Sequence, residues 1–71
     1  MLVKELIKKQ EGKFDSLEII RPNGDVYFTM VVPYERSDAF QENKDLKIFS
    51  YSFVPFASGN GYRLSIKTER V

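Results

Sequence analysis

The dipeptide Asn23-Gly24, set between the apolar-rich runs Leu17-Glu18-Ile19-Ile20 and Val26 to Val32, constrains this chain more than any other feature. A type I′ turn needs φ > 0 at both central residues, which Asn tolerates and Gly accepts freely, so the pair predicts a β-hairpin from Phe14 to Tyr34. With Asn23 and Gly24 at the tip, Ile20 faces Tyr27, Ile19 faces Phe28 and Leu17 faces Met30. One side then carries Leu17, Ile19, Val26, Phe28, Met30 and Val32 and is expected to be core. The other carries Ser16, Glu18, Ile20, Tyr27, Thr29 and Val31 and is mixed.

A hairpin cannot stand alone, and the segment before it supplies a cover. Leu2, Val3, Leu6 and Ile7 recur at helical spacing, with Lys4, Glu5, Lys8 and Lys9 on the opposite side. Lys8 and Lys9 suit the C-terminal end of a helix dipole, and Gly12 is a terminator, which predicts a helix over 2–11. So short a helix is unstable in isolation and must dock its apolar stripe on the sheet.

Two further strands follow. Pro33 ends the hairpin, and Asp38-Ala39-Phe40-Gln41 can start one helical turn with Ser37 or Asp38 as its N-cap and Phe40 pinning the loop. Leu46 to Val54 alternates as a strand, most clearly in Phe49-Ser50-Tyr51-Ser52-Phe53, and Tyr62 to Thr68 is a fourth strand. Leu64 and Ile66 share one of its sides with Tyr62; Arg63, Ser65 and Lys67 share the other. A two-residue tip at Gly59-Asn60 places Phe53 beside Ile66 and Tyr51 beside Thr68. The expected fold is a single α+β domain over 1–71: a short helix on one face of a four-stranded antiparallel sheet made of two hairpins, in the order α-β-β-β-β.

With 71 residues, of which 42% are hydrophobic, the chain holds one small core. Domains of this size gain stability from disulfides, metals or oligomerisation. Cysteine and histidine are both absent, which removes disulfides and the common zinc sites and leaves self-association. The expectation is a cytoplasmic protein with no cofactor, no metal and no membrane partner, since no apolar run reaches the length of a span.

The same two absences remove the commonest general base and the best nucleophile, so no enzyme is expected. Ser65 and Lys67 share a strand face, but a Lys base must be desolvated and this face reads as wet. Ser58 to Gly61 lacks the Lys and the spacing of a phosphate loop, and Asp38, Glu42 and Asp45 lack calcium-loop spacing.

Cover is the remaining question, because one short helix shields one face of a sheet. The opposite face is expected to hold Ile20, Tyr27, Val31, Val54 and Phe56, and contiguous apolar surface of that kind marks interaction sites. Tyr34 and Arg36, favoured interface residue types, extend this candidate protein interface. The leading expectation is a non-enzymatic protein-binding module, oligomeric, acting as an inhibitor or accessory factor of the compact kind that bacteriophages and mobile elements encode.

A second reading takes Phe49, Tyr51 and Phe53 as a stacking platform for single-stranded nucleic acid, with Lys47, Arg63 and Lys67 tracking phosphates. Against it, the net charge is only +1, and the ladder reads first as the helix's core partner. A third is an oligomer holding a nucleotide-like ligand between subunits.

Overall fold

A computed structural model describes residues 1–30 and 34–69. Helix α1 (Val3–Lys9) is followed by β1 (Ser16–Ile20), β2 (Val26–Met30), a 3-10 turn (Tyr34–Arg36), α2 (Asp38–Gln41), β3 (Ile48–Pro55) and β4 (Tyr62–Thr68). The strands form one sheet in the order β2-β1-β4-β3. Two antiparallel hairpins are present, but β1 and β4 meet in parallel at the centre, so the sheet is mixed and the expected all-antiparallel arrangement is corrected. The chain between β2 and β3 is long enough to cross the sheet, which a parallel join requires.

The first turn departs from expectation in a way that matters. Arg21 N–H donates to Asp25 O at 2.8 Å and Gly24 N–H to Arg21 O at 2.9 Å, so the loop is Pro22-Asn23-Gly24, three residues rather than two. Gly24 has φ +95°, and among the described residues no non-glycine has positive φ. Pro22, with φ locked near −65°, suits the second position of a type I turn, and a glycine in the left-handed region closes such a loop. Ile19 therefore pairs with Tyr27, Leu17 with Thr29 and Glu18 with Phe28. A slip of one residue turns the side chains of Val26, Tyr27, Phe28 and Thr29 to the face opposite the one expected.

The second hairpin also shifts, by two residues, which leaves its faces intact. Phe56 N–H donates to Gly61 O at 3.0 Å, and Phe53 pairs with Leu64 and Tyr51 with Ile66.

All of the core lies on one side of the sheet. Leu17, Ile19, Leu64 and Ile66 are buried in register against Val3, Leu6 and Ile7 of α1, with Phe14 and Tyr34 closing the cluster. Each such aliphatic side chain contributes roughly 1.5–3 kcal/mol on burial, which is what holds a seven-residue helix in place. Backbone bonds anchor it as well: Val3 N–H donates to Leu46 O at 2.9 Å and Ile48 N–H to Met1 O at 3.0 Å. Glu5 caps the helix by accepting from Leu2 N–H at 2.8 Å.

The 34–45 segment is fixed rather than free. Ser37 Oγ accepts from Phe40 N–H, capping α2 as expected, and the Phe40 ring sits edge-on to Tyr34 at 5.3 Å. Asn43 is fully buried; its Nδ2 donates to Ala39 O at 2.7 Å and its Oδ1 accepts from Arg21 Nε at 2.7 Å. Arg21 lies over the Tyr27 ring, 4.7 Å from its centroid, and so ties this segment to the first hairpin.

Candidate functional site

The face of the sheet turned away from α1 is assembled from alternate residues of all four strands. Register places Val26 and Phe28 of β2, Ser16, Glu18 and Ile20 of β1, Arg63, Ser65 and Lys67 of β4, and Ser50, Ser52 and Val54 of β3 together. None of these residues is buried, whereas Leu17, Ile19, Leu64, Ile66 and Thr68 on the other face all are. Among the described residues, nothing covers this surface.

Its centre is an ordered polar cluster. Ser65 Oγ donates to Glu18 Oε1 at 2.7 Å, and Arg63 Nη1 lies 3.4 Å from Glu18 Oε2. The Glu18 side chain is only 14% exposed, so the pair is held firmly, while Arg63 is 39% exposed. The Arg63 guanidinium also lies over Phe28, 5.6 Å from the ring centroid. Phe28 itself is 63% exposed; exposed Val26 is next to it along β2, and exposed Val54 lies on β3 at the opposite edge of the sheet. Sequence reasoning missed Phe28 and Val26 because it assumed a two-residue tip; Pro22 was the signal that indicates three.

The structure brings together only part of the expected protein interface. Ile20 and Val54 lie on the open face. Tyr27 is on the helix side, packed against the core, and Tyr34 is a core residue contacting Phe14 and Phe40. Both are therefore corrected: the slipped register moves Tyr27, and burial claims Tyr34. Phe56 is half-buried beside Gly61, Arg36 is exposed in the 3-10 turn, and Val31 lies outside the described residues.

The nucleic-acid set is divided between faces. Tyr51 and Phe53 point to the helix side, where Tyr51, Phe53 and Tyr62 form an edge-to-face row at 6.4 and 6.5 Å. Arg63 and Lys67 point to the opposite side. Phe49 sits at a break in register between Ile48 and Ser50 and is 71% exposed, and Lys47 is paired at the start of the strand with Leu2.

Depressions also mark the described surface. One of about 290 Å3 is bounded by Lys13, Phe53 and Tyr62, at the open end of the aromatic row. The other, about 400 Å3, runs between α1 and the 3-10 turn, lined by Lys4, Glu5, Lys8, Glu11, Tyr34, Glu35 and Phe40. Within it the Tyr34 hydroxyl donates to Glu11 Oε1 at 3.4 Å. Burial, then the carboxylates of Glu11 and Glu35, push its pKa up to about 12, so it stays protonated at neutral pH and is no general base. Asp45, beside Lys4 at 2.9 Å, is held below the usual carboxylate range by that hydrogen bond.

Among the described residues, no cluster of carboxylates suits a metal ion, and no helix is long and apolar enough to cross a membrane. No protein-family model matches the chain, and neither does any curated protein or solved structure.

Proposed function

We propose that this protein is a non-enzymatic binding module that works by laying the open face of its sheet against a partner protein. The observation that carries the reading is Phe28, a large aromatic left 63% exposed on a face that nothing described covers, beside an Arg63 already oriented by Glu18. Aromatic and Arg side chains dominate binding energy at protein interfaces, and side chains fixed on strands lose little freedom on docking. Val26 and its cross-strand neighbour Ile20 extend the apolar area around Phe28, and Lys67 adds positive charge at its margin, which fits a partner with an apolar groove bordered by carboxylates. Occupying a surface in this way suits an inhibitor or accessory factor.

The test is retention from an extract of the natural source on immobilised protein, comparing wild type with Phe28→Glu and with Lys9→Glu on the outer side of α1. A protein held by wild type and by Lys9→Glu but released by Phe28→Glu is the expected result. Equal retention by Phe28→Glu, or none by wild type, overturns the proposal.

A further inference from the structure

The free edge of β3 is the second unfilled feature of the sheet, and it is independent of the open face. β3 is an outer strand, next to β4 only. Which of its backbone groups are unpaired follows from the bonds that are made. Phe56 N–H points to Gly61 O on the β4 side, and Val54, Ser52 and Ser50 share its phase, since backbone groups alternate in direction along a strand. The N–H and C=O of Tyr51 and Phe53 therefore point outward. At the start of the strand the phase is opposite: Ile48 N–H is directed outward, but there it is taken by Met1 O. The break at Phe49 separates the two phases. The accessible edge is thus Ser50 to Val54, bounded at one end by the Met1 to Val3 pairing and at the other by Pro55, which has no N–H to offer.

The composition of this edge decides what can lie on it. No charged residue occurs from Ile48 to Tyr62, in a chain that is 30% charged. Sheet proteins normally guard an outer strand with Lys or another charge, and β3 has no such guard. A two-fold contact sets the residue on the axis opposite itself and repeats every other pair twice, so a charge at or next to the axis would come close to its own copy; an uncharged edge meets no such penalty.

We propose that two copies of the chain pair through β3, antiparallel, with the two-fold axis at Ser52. Tyr51 then faces Phe53 of the other copy and exchanges both backbone bonds with it, so all four outward groups of each strand are used. Ser50 faces Val54, and Ser52 meets itself in the closely spaced kind of pair. On the helix side, the half-exposed Tyr51, Phe53 and Tyr62 rows of the two copies join into one. Pairing stops where Pro55 of one copy reaches Phe49 of the other, short of Met1. The product is an eight-stranded sheet with two helices on one side.

Sedimentation of wild type across a dilution series tests this, together with Ser52→Lys, Ser52→Glu and their equimolar mixture. Ser52 is exposed, and circular dichroism checks that each variant keeps its fold. A wild-type dimer, monomeric single variants and a dimer restored on mixing are expected. A wild-type monomer at every concentration, or single variants as dimeric as wild type, overturns the proposal. Should either charged variant unfold, Ser52→Cys decides: mild oxidation links it into a covalent dimer if the two positions face each other, and failure to link overturns the pairing.

Discussion

Arg63 reaches over β1 to meet Phe28: its guanidinium lies 5.6 Å from the ring centroid, while Nη1 stays 3.4 Å from Glu18 on the strand between them. Three neighbouring strands thus contribute one side chain each to a single contact. The contact exists only because a three-residue turn places Phe28 opposite Glu18.

The register is therefore testable by stability. Phe28→Ala removes a mostly exposed side chain and should cost less than about 1 kcal/mol. Tyr27→Ala strips a ring packed on the core and under Arg21, and should cost roughly 2–4 kcal/mol. Urea denaturation of the two variants gives the comparison; the reverse order would restore the Asn-Gly tip.

Asn43 should prove as important as any apolar core residue. It is fully buried with both ends of its amide engaged, and Asn43→Ala leaves Ala39 O and Arg21 Nε without their partner. A loss of about 2 kcal/mol is expected. A double-mutant cycle with Arg21→Ala should show coupling of about 1 kcal/mol, since the two share a short hydrogen bond. Additive losses would mean that the Arg21–Asn43 bond is not what ties hairpin to loop, leaving that role to the Arg21 Nη2 bond to Glu42 O at 3.1 Å.

Tyr34 gives a signature in alkali. Its neutral form is favoured in the folded chain, with the pKa raised from 10.0 to about 12, chiefly by burial. The stabilisation is fully present below pH 10 and is lost as the pH climbs toward 12, where the folded protein resists an ionisation that the unfolded chain undergoes freely. Wild type should lose roughly 1–3 kcal/mol more than Tyr34→Phe across that interval, as read from denaturation midpoints. Parallel curves for the two proteins would refute it.

Much of the fold was legible because it is written in local periodicity. The spacing of Val3, Leu6 and Ile7 marked α1 and its buried stripe, Ser37 and Phe40 marked α2 with its cap and its anchor, and Tyr62 to Thr68 bounded β4. The alternation of Arg63, Ser65 and Lys67 assigned them to one face correctly. What was not legible depends on turn length and on distant pairing. Pro22 adds one residue to the first loop and so exchanges Tyr27 for Phe28 on the open face. The parallel meeting of Leu17 with Leu64 and Ile19 with Ile66 joins residues 47 positions apart, and no local pattern encodes it. Asn43 carries no local signal of its own, because a buried amide is recognised only by what surrounds it.

The grip on Lys47 has a consequence for the chain as a whole. Its carbonyl accepts from Glu69 N–H at 2.9 Å, while its neighbours Leu46 and Ile48 bond to Val3 and Met1 on the other side. Residues 1 and 69 therefore flank the same short stretch, about two strand spacings apart, or ~10 Å. A segment in which residue 69 is joined to residue 1 by a few-residue linker, and which is opened instead at Ser58-Gly59, should therefore keep the same interior.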